Sequence, residues 1–458
     1  MKFVPNFDKG FYPMIVALKE FNEKVAASKH KTLSICVERN GGYNYVYKLD
    51  IFDTEDKELQ NYNYRIAERI IKSILWVAGG YKIYIHGDKT VFEAIKADYS
   101  ENGARAFDYN FMANVYENPF EVLYVENEKD FPAEKSCSLA IGGHLDGCRI
   151  GFDAGGSDRK VSAVIDGEVV YSEEVVWFPK TNSDYRYHYE GIKQAMLTAA
   201  SKMPRVDAIG VSSAGIYIDN KIMVASLFLK VPEDDFKKHV RTMYTDIAKE
   251  IGAPIEVAND GDVTALAGAI DLKDTGILGI AMGTSEAGGY INLSGTLNGW
   301  LSELAFVPVD FNKDAMVDEW SGDYGCGVKY FSQDGAIKLA EYSGYKFDEN
   351  MSPAEKLKVV QKMMADGDPR AQKIYEDIGI YLGYTLAYYS QFYDIKHLLL
   401  LGRVTSGKGG DIIMEKAREV IKAEFPEYAN ISIEMPDENS RRVGQSIAAA
   451  SLTDIKKN

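Results

Sequence analysis

The chain has 458 residues, 46% of them apolar, with a net charge of −16 and a pI near 5.0. This length and composition predict roughly two to four domains with full cores and exclude a disordered chain. The acidic balance opposes general attraction to phosphate backbones, so nucleic acid is not an expected partner.

Cys36, Cys137, Cys148 and Cys326 are scattered and form no CxxC pair, which excludes a readable disulfide framework and fits a reducing compartment. The apolar run at 14–18 is too short for a signal core, and no run approaches ~18 apolar residues. A cytoplasmic protein with no membrane partner is expected.

In chain order, residues 1–145 predict a mixed α/β region. It holds a strand pair over 33–51 around Gly41-Gly42, a helix over 65–77, a strand over 81–86 and a helix ending at 97. A Tyr- and Asn-rich stretch then runs to 121, before an apolar strand over 122–125. No chemistry is legible there; single histidines such as His86 and His144 more often serve packing or surface.

From residue 149 the pattern sharpens. Three strands are joined by Gly155-Gly156-Ser157 and by Asp166-Gly167, a hairpin-closing pair. A helix with Ile192, Ala195, Met196 and Ala199 at helical spacing follows, then a strand over 208–211 that ends at Ser212-Ser213-Ala214-Gly215. Pro232 opens a long predicted helix to 251, and a strand over 255–257 delivers Asn259-Asp260.

The second half repeats the logic: strands over 277–281 and 289–293 around a Gly-rich turn, then helices over 328–342, 353–365 and 368–393. A buried strand over 398–401 runs into Gly402, Gly407, Gly409 and Gly410, and after a further helix the chain reaches a helix over 440–452. Units of this kind bind ligands at strand ends, where the loops gather.

The strand ending in Asp153, with Gly155, Gly156 and Ser157 in the turn, gathers backbone N–H groups, a hydroxyl and a carboxylate, as a metal-bound polyphosphate requires. A glycine turn is also an ordinary connector. Asn259-Asp260 offers a carboxylate and a neighbouring amide at the start of a helix, a pattern equally suited to a helix N-cap.

These segments resemble the ROK family (repressor, open reading frame, kinase), whose enzymes are ATP-dependent hexose or hexosamine kinases. Asp153-Ala154-Gly155-Gly156-Ser157-Asp158 matches the family's Asp-x-Gly-Gly-Thr-Lys, with Asp158 replacing the Lys. The segment from Ala258 through Asn259 and Asp260 to Leu266 matches Glu-Asn-Asp-Ala-Asn-Ala-Ala-Ala-Leu. Gly283-Thr284-Ser285-Glu286-Ala287-Gly288-Gly289 is similar to a second phosphate loop, and Leu400 to Gly407, with Gly402 and Ser406, to an adenosine segment.

The resemblance implies a two-lobed α/β actin/hexokinase-like (ribonuclease H-like) ATPase fold with an additional N-terminal α/β domain. The expected domains are 1–145, a first lobe over 146–262 and a second over 263–458, with the C-terminal helix returning to the first. It implies ATP and Mg2+, a sugar or sugar derivative as acceptor, and a homodimer.

By the same resemblance Asp260 is the catalytic base, while Asn259, Glu303 and Gly215 bind substrate. Asp153, Gly155, Gly156, Ser157, Gly283, Thr284, Ser285, Gly402 and Ser406 bind nucleotide, and Asp153 acts on the magnesium directly or through water.

Two family motifs are altered. Gly-Glu-Ile-Gly-His becomes Ser302-Glu303-Leu304-Ala305-Phe306, and of Cys-x-Cys-Gly-x-x-Gly-Cys-x-Glu only Cys326 remains, with Val328 in place of the second sugar-binding Glu. One thiol without the His cannot build a tetrahedral site, so no zinc is expected. Nearby Asp310, Asp318, Glu319 and Asp323 are candidates for other contacts or for an acidic surface loop.

The leading expectation is a glucokinase-like sugar kinase. The alternative is a non-catalytic sugar or nucleotide sensor, or pseudokinase, of the same family. An actin-like ATPase is a third reading, disfavoured by Asn259, Asp260 and Glu303 together.

Overall fold

The computed structural model describes residues 1–137, 141–436 and 438–455. They form two units: Met1–Cys137 with Ile280–Gly288 and Trp300–Met435, and Ser138–Gly279 with Gly289–Gly299 and Pro436–Asn458. The first 137 residues therefore share one unit with much of the C-terminal half.

That stretch runs α1 (Met14–Ala26), β1 (His30–Glu38), β2 (Asn44–Phe52), α2 (Lys57–Val77), β3 (Lys82–His86), α3 (Lys89–Asp98), α4 (Ala106–Tyr116) and β4 (Glu121–Tyr124). The strands form a sheet in the order β2-β1-β3-β4. Helix α2 starts earlier than its apolar periodicity predicts, because Asp56 caps it by accepting hydrogen bonds from the Glu58 and Leu59 amides while its first turns are polar and largely exposed. Helix α4 lies in the Tyr- and Asn-rich stretch, for which no element is predicted. Its Phe, Tyr and Asn residues have modest helix propensity and gave no signal.

The second unit continues with β5 (Cys148–Ala154), β6 (Asp158–Ile165), β7 (Glu168–Val176), α5 (Tyr185–Ala200), β8 (Ala208–Ser213), β9 (Ile216–Ile218), β10 (Lys221–Val224), α6 (Glu233–Asp235), α7 (Met243–Ile251), β11 (Ile255–Asn259) and α8 (Asp260–Leu272). A five-stranded sheet in the order β11-β8-β5-β6-β7 is parallel across β11, β8 and β5 and antiparallel across β5, β6 and β7.

Ile150, Phe152, Val161, Ile209 and Val211 of this sheet form a core with Ile192 and Met196 of α5 and Met243 and Ile247 of α7. The long helix expected from Pro232 is broken. A π-helical turn spans Phe236–Val240 between α6 and α7, and the Arg241 carbonyl accepts from the Ile222 amide of β10 at 2.9 Å instead of continuing a helical ladder.

The remaining elements are β12 (Ile277–Met282), β13 (Glu286–Ile291), α9 (Gln333–Tyr342), α10 (Pro353–Ala365), α11 (Pro369–Tyr389), β14 (His397–Leu401), α12 (Lys408–Glu424), β15 (Ser432–Glu434) and α13 (Glu438–Ala450). Their strands form a sheet in the order β13-β12-β14-β15. Helix α11 is buried along most of its length.

In the second unit α13 lies against α8 and the β5–β8 sheet. Glycine makes that approach feasible: a Cβ on Gly151 would meet the Ser446 carbonyl oxygen at 2.5 Å, and one on Gly210 the Ala449 carbonyl oxygen at 1.7 Å.

Candidate functional site

In the second unit, β5 ends at Asp153, whose register partners are Lys160 on β6 and Ser212 on β8. The Ser212 hydroxyl donates to the Asp153 carboxylate at 2.8 Å. Burial raises the Asp153 pKa, Asp158 and Glu174 add to the rise, and Ser212 and Lys160 oppose it. Gly155, Gly156 and Ser157 turn the chain into β6, with Gly156 and Ser157 exposed and the Ser157 hydroxyl donating to Asp158 at 3.4 Å.

Two strands away, β11 carries Asn259 to the start of α8. Asn259 is the N-cap: its side-chain oxygen accepts from the Gly261 amide at 2.7 Å, and its side-chain nitrogen donates to the Gly215 carbonyl at 2.7 Å. Capping thus fixes the amide and leaves Asp260 in the first turn, where the helix dipole favours a carboxylate. Burial nevertheless pushes the Asp260 pKa up to about 6, with the charge of Asp153 adding to the shift. The structure thereby brings Asp153, Asn259, Asp260 and Gly215 together.

Asp262 lies in the same segment, two positions beyond Asp260. Its carboxylate accepts from the Tyr290 amide at 3.1 Å, and burial lifts its pKa to about 7. The signal in the sequence is a second acidic residue two positions after Asp260.

The other predicted loops lie in the first unit. The Gly283 amide donates to the Ser285 carbonyl at 3.0 Å, the Gly283 carbonyl accepts from Gln333 at 2.9 Å, and the Arg403 guanidinium donates to the Thr284 hydroxyl at 2.8 Å. Thr284, Ser285 and Ser406 are exposed. Gly402, with φ of 96°, crosses Met282 so closely that a Cβ would stand 2.3 Å from its carbonyl oxygen. The structure thus joins Gly283, Thr284 and the segment from Gly402 into one surface.

Glu303 is half-buried, and its amide donates to the Trp76 carbonyl at 2.9 Å. Phe306, at the altered His position, packs on Trp76 with ring centroids 4.3 Å apart and lies 5.6 Å from Phe107. Cys326 is buried, its thiol 3.9 Å from Asp323. Asp323 in turn accepts from Arg69 at 2.9 Å and pairs with Lys72 at 3.0 Å and Arg105 at 2.9 Å.

Of the acidic residues expected as candidate contacts or as a surface loop, Asp310, Asp318 and Asp323 are corrected by this geometry, being buried, while Glu319 is exposed as a surface acid and pairs with Lys329. Asp310 also has its pKa lifted to about 6 by burial, but Tyr330, Tyr12 and Asn312 satisfy its oxygens, so it holds loops in place. Glu286, within the second loop motif, is buried, one carboxylate oxygen has no hydrogen bond among the described residues, and burial and Glu303 keep its pKa well above the usual range.

Among the described residues no group of three or more His, Cys, Asp or Glu is disposed to hold a metal ion, and no helix is long and apolar enough to cross a membrane.

An antiparallel β7-β6-β5 ribbon that continues into parallel β8 and β11, with a glycine turn after β5, defines the actin/hexokinase-like ATPase fold, here with an added N-terminal α/β region. The profile of the ROK family matches residues 149–447, and the chain belongs to that family.

A ROK hexokinase from Thermus thermophilus is 18% identical with a TM-score of 0.52, the match covering 66% of this chain and 97% of that one. A ROK transcriptional regulator, a homologue of the E. coli MLC protein, is also 18% identical with a TM-score of 0.51, over 67% of this chain and 79% of that one. No functionally curated protein matches the sequence.

Proposed function

We propose that this chain is an ATP- and magnesium-dependent kinase that phosphorylates a hydroxyl of a sugar or sugar derivative. The observation that carries the reading is Asp260. It is a half-buried carboxyl whose pKa is pushed up to about 6, fixed at a helix start beside Asp153 and the capping Asn259. A base tuned near neutrality takes a proton from an attacking hydroxyl more effectively than an ordinary aspartate.

In this reading Asn259 and Glu303 hold the acceptor, and the Gly215 carbonyl keeps the Asn259 amide in one orientation. Gly155, Gly156, Ser157, Gly283, Thr284 and Ser285 hold phosphates, and Gly402 and Ser406 the adenosine. Asp153 fits a hard cation, since its carboxylate is half-buried, acidic neighbours disfavour its charge, and Ser212 is its one side-chain hydrogen-bond donor among the described residues. Magnesium at Asp153 supplies neutralisation of phosphate charge.

Asp260→Asn should leave ATP binding intact and cut acceptor phosphorylation by about 10²- to 10⁴-fold. In the wild type kcat/KM should rise with pH through about 6, as Asp260 ionises. Undiminished turnover in the variant would remove Asp260 from the mechanism.

A second reading, a ligand-binding sensor without turnover, is favoured by Phe306 and Val328 at the altered sugar motif and by the fold shared with a regulator. ADP release with and without a panel of hexoses and hexosamines separates the two. Sugar-dependent ADP supports the kinase, and thermal stabilisation by a sugar without ADP supports the sensor.

A further inference from the structure

The family motif ends in Lys where this chain has Asp158, so the loop that should hold a polyphosphate lacks its own cation. The connection between β7 and α5 runs beside this loop. The Trp177 amide donates to the Ser157 carbonyl at 3.1 Å and the Trp177 indole N–H to the Gly155 carbonyl at 2.8 Å, tying the connection to the loop at two points. The 3₁₀ turn Pro179–Thr181 follows at once. It carries Lys180 over the loop, where a Cβ on Gly156 would meet Lys180 Nζ and Cε at 2.9 Å.

Of the other cations nearby, Lys160 is ion-paired, and Arg159, whose buried Nε has no hydrogen-bond partner among the described residues, is held under α5. Lys160 is shared between Asp158 at 3.9 Å and Glu174 at 3.8 Å. Arg159 lies over the Trp177 ring, 5.8 Å from its centroid, with Nη1 against Gly191 of α5. Lys180 is exposed and has no hydrogen-bond or ion-pair partner among the described residues.

We propose that Lys180 is a phosphate-binding residue of the nucleotide site, supplying from outside the motif the cation that position 158 lacks. The inference rests on the kinase reading above, and it identifies a group that acts on the β- or γ-phosphate.

The test is calorimetric binding of ATP, ADP and AMP, each with magnesium, to the full chain and to Lys180→Ala, Lys180→Arg and Lys180→Glu. A charge-assisted phosphate contact predicts about 10-fold weaker ATP and ADP binding for Lys180→Ala, a greater loss for Lys180→Glu, and near-retention for Lys180→Arg. AMP binding and Tm should be unchanged.

Equal ATP affinity in wild type and Lys180→Ala overturns the assignment and leaves the kinase reading standing. An equal loss for AMP, or a fall in Tm that accounts for the lost affinity, also overturns it. A wild-type chain that binds neither ATP nor ADP removes the kinase reading and Lys180 with it.

Discussion

Asp260 and Asp323 are both aspartates withdrawn from water, and their carboxyls are pushed in opposite directions. Around Asp260, burial and Asp153 raise the pKa, and neighbouring Asp262 is raised further still. Around Asp323, against the cost of burial, Arg69, Lys72 and Arg105 hold the carboxyl well below the usual carboxylate range, and Arg69 and Arg105 do the same for Glu68. Among the described residues no cation pairs with Asp260 or Asp262, whereas Asp323 meets three cations and Glu68 two. Unpaired buried acids are poised to accept a proton or a cation, whereas saturated ones hold elements together.

The sharpest way to break this contrast is to remove a charge from the saturated region. Asp323→Asn leaves Arg69, Lys72 and Arg105 with too little negative charge in the interior. It should cost about 3–5 kcal/mol in denaturant unfolding, the usual consequence of breaking a buried pair. A loss below 1 kcal/mol would mean that the network contributes little.

In the unsaturated region the sign reverses. Because the folded pKa of Asp262 is raised, its stabilising share is full below about pH 4 and is lost as pH rises through about 7. Asp262→Asn keeps the acceptor for the Tyr290 amide, so it should be more stable than wild type at pH 8, by about 1–3 kcal/mol, with no advantage at pH 4. Equal pH profiles for the two proteins would show that Asp262 is ionised at little cost.

The smallest effect is expected where the altered motif meets the N-terminal region. Phe306→His restores the family residue but weakens the packing on Trp76 and Phe107, and should cost about 1 kcal/mol in the same unfolding experiment. A stabilised variant would show that this aromatic cluster is not what the Phe serves.

The difference between the regions also explains what was legible in the chain. Asp153, Gly155, Asn259 and Asp260 stand within short segments whose strand–turn or strand–helix pattern is local, so periodicity and turn chemistry place them. The ROK family followed from the order of those segments. Asp323 and Arg69 pair across 254 positions, and no local pattern announces such a partner. For the same reason Asp310 and Asp318 looked like surface acids. Lys180 sits in an ordinary connection and gains its place only because Trp177 ties that connection to the loop. No local pattern announces the break at Phe236–Val240 either, because the Arg241 carbonyl is claimed by Ile222, a strand residue outside the helical sequence.

The buried network has a consequence in time. Arg69 leaves the ribosome 254 residues ahead of Asp323, which at about 5–20 residues per second is about 13–50 s of synthesis. Throughout that interval α2 carries cations destined for an interior that does not yet exist. Its stretch of the nascent chain must stay hydrated and unfinished until the second half of the protein emerges.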